Sequence, residues 1–218
     1  MNGKQLIARR VAREIQPGSL VNLGIGLPTM VAQYVPEEDN VFFQSENGII
    51  GSGGLPDGME NTSLSDAGGG MIGALPGAAA FDSAFSFGLI RGGHLDMTVL
   101  GGLQVDSQGR LANWIIPGER VPGMGGAMDL VTSARKVIVA MIHTAKGTAK
   151  IVEKLNLPMT SDRRVDLIIT ELAVIRPSEQ GLILEEVAPG VNAAQVQDQT
   201  EAKLIVSDSV TTMELKPT

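Results

Sequence analysis

The chain contains no cysteine, which excludes disulfides, thiolate metal sites and a cysteine nucleophile. Basic residues are outnumbered, 17 against 24 acidic, and the formal net charge is −7. This argues against a nucleic-acid binder, since no face carries the Lys and Arg density that phosphate binding requires, and an anionic ligand would have to rely on local amides and a few cations. No apolar run approaches the ~18–20 residues needed to cross a bilayer, and the start, Met1-Asn2-Gly3-Lys4-Gln5, lacks the apolar stretch of a signal peptide. A soluble, cytoplasmic protein is expected.

Several chemical motifs are missing as well. Gly-Lys-Ser/Thr occurs nowhere, so there is no P-loop, and the turn Gly24-Ile25-Gly26 lacks the third glycine of the dinucleotide fingerprint. No serine sits in a Gly-x-Ser-x-Gly elbow. The two histidines, His94 and His143, have no partner at metal-ligand spacing; both read as structural, and no metal site is expected. Asp66, Asp82 and Asp129 read as turn or cap residues.

What is present is ordinary globular composition, 43% hydrophobic and 19% charged, enough for a sizeable core. Apolar residues are evenly spread, and a single domain over residues 1–218 is expected. The 27 glycines gather at the ends of apolar runs, as where strand-to-helix turns bring backbone close to a ligand or to other backbone.

Along the chain, residues 3–16 place Leu6, Ile7, Val11 and Ile15 on one helical face, and Pro17-Gly18 ends that helix. Residues 20–23 read as a buried strand, broken at Gly24-Ile25-Gly26-Leu27-Pro28, with a helix over 29–35. The next strand covers 41–44. Residues 51–70 have weak periodicity and read as an ordered, irregular segment, followed by a short apolar run at 71–75 before Pro76-Gly77. A helix from Asp82 through Ile90 stops at Gly92-Gly93. A strand at 95–100 and a hairpin of 103–105 with 111–116, turned through Ser107-Gln108-Gly109, come next. Residues 122–130 form a second glycine turn that opens toward a helix. Strands at 136–141 and 165–169 are continuous apolar runs covered on both faces. A strand at 182–187, a helix at 191–200 and a short strand at 204–206 complete the chain. Helices and strands alternate, so the fold is α/β with helices on both faces of a sheet.

One carboxylate stands out. Glu46 ends the apolar run Val41-Phe42-Phe43 and precedes Asn47-Gly48, a pair suited to a tight turn with positive backbone angles. That places it at a sheet edge among backbone N–H groups, where it is either a solvated or ion-paired turn residue or an exposed reactive group. The glycines Gly24 and Gly26 beside Asn22 serve either as a packing joint or as a site. Residues 123–129 offer consecutive amides that suit a carbonyl oxygen or phosphate at a helix start, with packing the other reading.

The stretch Gln44-Ser45-Glu46-Asn47-Gly48-Ile49-Ile50-Gly51 resembles the active-site signature of the β subunit of the 3-oxoacid CoA-transferases, in the class I CoA-transferase family. Similar blocks follow the family's order: Val21-Asn22-Leu23-Gly24-Ile25-Gly26-Leu27-Pro28, Leu75-Pro76-Gly77, Arg91-Gly92-Gly93-His94-Leu95-Asp96, Leu111-Ala112-Asn113-Trp114, Ile116-Pro117-Gly118 and residues 123–131. Together they span roughly residues 3–172. The resemblance implies a three-layer open α/β/α sheet, mostly parallel with some antiparallel strands. It implies that Glu46 is a nucleophile, passing through a mixed anhydride to a glutamyl-CoA thioester with ping-pong kinetics. Asn22, Gly24, Gly26, Gly125, Gly126 and Ala127 would line the CoA thioester site, and Asn47 and Gly48 would shape the turn that holds Glu46.

Coenzyme A enters there as a thioester substrate, and no permanently bound cofactor is implied. The family's β half works with an α subunit whose own glycine loop completes the site, as a heterodimer or α2β2 heterotetramer. Gly69 stands where many succinyl-CoA-using members look to have lysine. That favours the short-chain branch, similar to acetyl-CoA:acetoacetate CoA-transferase, with succinyl-CoA as the alternative donor. Two other readings stay open, a noncatalytic CoA- or phosphate-binding module and an acyl-CoA hydrolase using the same glutamate.

Overall fold

The structure is a computed structural model that describes residues 1–54, 63–118 and 123–216. Its first half runs α1 (Gly3–Ala12), β1 (Leu20–Leu23), 3-10 helices at Leu27–Tyr34 and Glu37–Asp39, β2 (Phe42–Ser45), β3 (Ile49–Gly53), β4 (Gly73–Ala80), α2 (Ser83–Arg91), β5 (Met97–Leu100), β6 (Gln104–Asp106) and β7 (Leu111–Ala112). Then follow α3 (Ala127–Ser133), β8 (Lys136–Ala140), β9 (Thr144–Ala145), β10 (Thr148–Ala149), β11 (Ile151–Val152), β12 (Leu167–Ile169), β13 (Ala173–Ser178), β14 (Gly181–Val187), α4 (Ala193–Asp198) and β15 (Leu204–Thr212).

Ten strands form one sheet in the order β15-β14-β13-β12-β8-β5-β1-β2-β3-β4. From β12 to β2 every neighbour is parallel. Antiparallel strands flank that centre, β13 and β14 on one side and β3 and β4 on the other, and β15 lies parallel to β14. Successive side chains of a strand point to opposite faces, so the apolar run of β8 serves two cores at once. Ile138 and Ala140 meet α1 and the 3-10 helix at Leu27–Tyr34, through Ile7, Val11 and Val31. Val137 and Val139 meet α2, α3 and α4, through Ile90, Leu130 and Val196. A three-stranded sheet, β11-β6-β7, shares this second layer. The expected three-layer α/β/α arrangement is therefore the observed one.

The helix ends have local causes. Asn2 accepts from the Gln5 N–H at 2.9 Å while Gln5 accepts from the Asn2 N–H at 3.0 Å, a reciprocal cap for α1. Asn192 and Gln195 cap α4 in the same way. Asp82 caps α2 by accepting from the Phe85 N–H at 2.8 Å. Arg163 donates to the carbonyls of Val131 at 3.0 Å and Arg135 at 3.2 Å, which satisfies the C-terminal end of α3.

Several elements differ from the sequence expectation, among them β3 and the short strands β9, β10 and β11, for which no strand was expected. The segment expected to be a helix over 29–35 is a 3-10 helix, with Pro28 in its first turn. Pro76-Gly77, read as a break, lies inside β4, because the β3–β4 pairing jumps from Ser52–Ala74 to Ile50–Ala79 and the residues between bulge out. A proline is tolerated there because β4 is an edge strand. β13 was not anticipated, since Arg176-Pro177-Ser178 masks its short apolar run. β15 extends to Thr212 as a mostly exposed edge strand, so no buried period marks its second half. Part of the segment expected to be irregular, residues 55–62, lies outside the described residues, as does the start of the second glycine turn at 122.

One ion cluster fastens α1 to the sheet. Arg10, only 7% exposed, donates to both carboxylate oxygens of Glu186 at 2.7 Å and to Glu14 at 2.7 Å, and Lys136 reaches Glu14 from β8 at 2.5 Å. Burial works against the Arg10 charge, but the hydrogen bonds to Glu186 and Glu14 outweigh it and raise its pKa. Burial likewise opposes the Glu14 charge and is outweighed by Lys136 and Arg10, so its pKa is lowered.

His143 is structural, as expected. It is fully buried, with Nδ1 2.9 Å from the Thr170 hydroxyl and Nε2 2.9 Å from that of Thr200. Burial, with Lys150 nearby, pushes its pKa down to about 4.

These groups make stability testable. Arg10→Ala leaves the partly buried Glu186 without its cation and Glu14 with Lys136 alone, and urea unfolding should register a loss of about 3 kcal/mol. Arg13→Ala removes only an exposed pair with Glu214 and should cost under about 1 kcal/mol. For His143, the unfolded chain takes up a proton near pH 6.5 that the folded chain refuses until about pH 4. Its contribution is therefore complete above pH 6.5 and declines as pH falls toward 4. At pH 5 the loss is about 2 kcal/mol, and His143→Gln should remove that part of the pH dependence.

Candidate active site

The carboxyl ends of β1, β2 and β5 open on one edge of the sheet, the side on which open α/β sheets bind ligands. Glu46 follows β2 directly, and the Gly24–Gly26 turn follows β1. Parallel register puts Asn22 beside both Gln44 and Thr98. Their side chains share one face and form a fully buried polar row, closed from above by Ser86 of α2. Thr98 Oγ1 donates to Asn22 Oδ1 at 3.3 Å, Asn22 Nδ2 donates to Gln44 Oε1 at 2.8 Å, and Gln44 Nε2 donates to Ser86 Oγ at 2.9 Å. Glu46, two residues after Gln44, points to the same face, where Asn22 Nδ2 also donates to its Oε2 at 3.2 Å. The carboxylate is partly buried.

The turn after Glu46 is held by a glycine requirement. Gly48 has φ +126°, and a Cβ there would lie 2.0 Å from the Phe81 carbonyl oxygen. Its N–H donates to Ser45 O at 3.0 Å, and its carbonyl accepts from the Phe81 N–H at 2.9 Å. Asn47 points away from the carboxylate and donates to Ser65 O at 2.7 Å, while the Ala67 N–H donates to Ser45 Oγ at 2.9 Å. The segment 63–70 is thereby docked against the Glu46 turn. Asp66 is the turn residue expected, accepting from the Gly68 and Gly70 N–H groups at 2.8 Å each. Gly69 has φ +80° and open space around it.

The glycines divide by surroundings. Gly126 is buried against Glu46; a Cβ there would stand 3.1 Å from Glu46 Cγ and 3.4 Å from Oε1. Gly26 (φ +88°) and Gly125 (φ +55°) face open space, so backbone there is open to a ligand. Gly24 is a packing position, with its N–H donated to Val99 O at 2.8 Å and Leu100 in the way of any side chain. Ala127 follows Gly126 as the first residue of α3, its N–H 3.3 Å from Met124 O. Asp129, expected as a cap or turn residue, sits in the first turn of α3 and pairs with Arg91 of α2 at 2.7 Å, so the two helices that flank Glu46 are tied together. His94 is exposed and lies outside this constellation.

Sequence reasoning missed Gln44, Ser86 and Thr98 as part of the site. The signal was one polar residue inside each of three apolar segments, but only the sheet order brings them level. Among the described residues, no group of acidic and histidine side chains could hold a metal ion.

The sequence model of the coenzyme A transferase family matches residues 4–199. The chain belongs to that family. The beta subunit of acetate CoA-transferase from Escherichia coli (strain K12) is 54% identical over 213 residues, covering 97% of this chain and 98% of that protein. A subunit of the probable succinyl-CoA:3-ketoacid coenzyme A transferase of Bacillus subtilis (strain 168) is 46% identical over 209 residues, covering 95% and 97%. Among solved structures, an acyl-CoA transferase from E. coli O157:H7 superposes with a TM-score of 0.80 at 25% identity, over 98% of this chain and 43% of that one. Glutaconate coenzyme A-transferase from Acidaminococcus fermentans, 18% identical with a TM-score of 0.73 over all of this chain and 90% of that one, shares the fold.

In this CoA-transferase chain the Gly48 turn sets the direction of Glu46, so its cost is predictable. Gly48→Ala combines a left-handed backbone with a clash against Phe81 O and should destabilise by about 3 kcal/mol in denaturant unfolding. Gly88→Ala, in α2 with open space around it, should instead stabilise by about 0.5–1 kcal/mol.

Proposed function

We propose that the chain is the β subunit of a 3-oxoacid CoA-transferase that moves CoA between acetyl-CoA or succinyl-CoA and a short 3-oxo or fatty acid such as acetoacetate. The observation that carries this reading is Glu46 itself. It is a partly buried carboxylate at the carboxyl end of a central parallel strand, hydrogen-bonded by a neutral amide and backed by Gly126. Among the described residues no cation is paired with it, so its negative charge is left for attack.

In the proposed cycle, a Glu46 oxygen adds to the acyl-CoA thioester carbonyl and expels the CoA thiolate, leaving an acyl–glutamyl anhydride. The thiolate then adds to the Glu46 carbonyl and releases the first acid, leaving a glutamyl-CoA thioester. A second acid reverses both steps. Each addition places negative charge on a carbonyl oxygen, and neutral donors fixed beforehand stabilise it best. The Asn22 amide is such a donor for the Glu46 carbonyl. The open backbone at Gly26 and Gly125, with the Gly126–Ala127 start of α3, is the place for the thioester and pantetheine. Gly69 leaves the acid side without a lysine, which favours acetyl-CoA over succinyl-CoA as donor.

A partner subunit is part of the proposal. The elements that frame Glu46 expose large apolar side chains, with Ile25 68%, Phe85 57% and Met128 49% accessible. Such apolar surface around a cleft suits a protein interface, and the E. coli K12 and B. subtilis relatives are named as subunits. An α subunit in a heterodimer or α2β2 heterotetramer would cover the site and keep water from the thioester.

The reconstituted complex incubated with acyl-CoA should gain the mass of CoA less one water on this chain, located at Glu46 by peptide mapping. Glu46→Gln should gain nothing, and an adduct persisting in it would remove the nucleophile. Glu46→Asp, with the carboxylate drawn back by ~1 Å, should turn over on the order of 10²-fold more slowly. Thioester consumption without an acceptor acid, as fast as with one, would favour a hydrolase.

A further inference from the structure

We infer that Thr98, Gln44 and Ser86 are positioning residues, which act on Glu46 through Asn22. The inference rests on Glu46 being the nucleophile. What it adds is a buried relay that no feature of the Glu46 turn requires.

The relay has a direction. Ser86 Oγ accepts from Gln44 Nε2, so Gln44 turns its oxygen toward Asn22. Asn22 Nδ2 has two hydrogens for three acceptors: Gln44 Oε1 at 2.8 Å takes one, and the Gln44 backbone carbonyl and Glu46 Oε2, each at 3.2 Å, share the other. On the other side Thr98 Oγ1 occupies Asn22 Oδ1. With its oxygen held by Thr98 and its nitrogen by Gln44, the Asn22 amide presents an N–H to Glu46 Oε2. Reversing Gln44 would offer its NH2 to Asn22 and draw Oδ1 round in its place. An amide oxygen would then face the carboxylate, with the donor lost to the Glu46 carbonyl. Hydroxyls both donate and accept, so Thr98 and Ser86 alone allow either direction; the Gln44 backbone carbonyl and the Glu46 carboxylate, which only accept, select the one with Asn22 Nδ2 toward Glu46, and the two hydroxyls then hold it there.

Stability alone does not explain the row. Its four side chains are each no more than 3% exposed, and the same level continues into Val137 on β8, so an apolar filling is what the neighbouring position has. Replacing a buried polar set by apolar groups of like shape is often neutral or stabilising. A polar row kept in this place, with its outlet at a reactive carboxylate, fits a role in fixing a donor. When the thiolate adds to the Glu46 carbonyl, charge develops on an oxygen that already faces the Asn22 N–H, and nothing has to reorganise. A loosened amide would have to be realigned at every addition.

The test uses the complete complex with its partner subunit. The rate constant and the amplitude of Glu46–CoA adduct formation are followed by quenched single-turnover mass analysis with acetyl-CoA. Thr98→Val keeps size and removes the hydroxyl; Ser86→Ala removes the acceptor for Gln44. Both should lower the rate constant about ten- to hundredfold, with KM for acetyl-CoA within about twofold and the adduct still reaching full amplitude. Thr98→Ser, which restores the hydroxyl, should recover most of the rate. A purely structural role would instead lower the amplitude, the folded fraction, and leave the rate constant alone. Wild-type rate constants in Thr98→Val and Ser86→Ala overturn the inference. If Ser86→Ala does not fold, the Thr98→Val and Thr98→Ser pair decides alone. Glu46→Gln is run beside them: an adduct there overturns the nucleophile, a failure distinguishable from normal rates in variants that still carry the adduct on Glu46.

Discussion

Register in the parallel centre of the sheet is the constraint on which the site depends. β5, β1 and β2 run the same way, so a residue of β1 has one neighbour on each side at its own level, and for Asn22 these are Thr98 and Gln44. A polar side chain at that depth must find partners or lose roughly 1–3 kcal/mol. The requirement passes along the row until it leaves the sheet at Ser86, and α2 must lie where that hydroxyl can be reached. Asp82 at the cap, Ser86 one turn later and Ile90 in the core follow as one helix whose placement answers both the polar row and the apolar layer.

The Glu46 turn obeys a second constraint, which meets the first at the carboxylate. Gly48 lies against the Phe81 carbonyl so closely that no side chain fits, and Phe81 immediately precedes the α2 cap. The turn is thus attached to the same helix that closes the row. From the other side, Gly126 brings the start of α3 against Glu46, and the Arg91–Asp129 pair joins α3 to α2. Three connections converge on one side chain, which restricts its rotamers without a cation. An arginine in contact would hold the carboxylate as firmly, but it would stabilise the charged ground state and so oppose attack by that oxygen. For the proposed nucleophile, a neutral amide fixes direction at less cost to reactivity.

Much of this was legible in the sequence, and the remainder was not for identifiable reasons. Glu46 before Asn47-Gly48 announced a turn, and Gly48 proved to be the glycine that turn cannot replace. The continuous apolar runs of β8 and β12 reported strands covered on both faces. Asp82 announced its helix. β13 was hidden because a strand bordered by antiparallel neighbours tolerates Arg176 and Pro177 at its end, and the bulge in β4 looks locally like any Pro-Gly turn. Gln44, Thr98 and Ser86 lie far apart in the chain, and a single polar residue in an apolar run has no periodicity to reveal it. Only strand order aligns them, and strand order is the property least encoded by local pattern. Gly24 shows the converse: a glycine in a site-like motif whose surroundings are Val99 and Leu100, which makes it a joint.

The open and closed parts of the site bear on transfer against hydrolysis. Below Glu46 the polar row is satisfied and Gly126 is in contact. Above it, Gly26 and Gly125 face open space, and Ile25, Phe85 and Met128 are exposed around them. A glutamyl thioester formed in such a half-covered site would meet water as readily as a second acid, and water is always the more concentrated. A transferase must therefore close the upper half before the intermediate forms, whereas a hydrolase gains by leaving it open. On the proposed reading the apolar rim is where that closure is made. Selectivity for an acid over water would then belong to the interface, while this chain supplies the nucleophile and the donor that holds it.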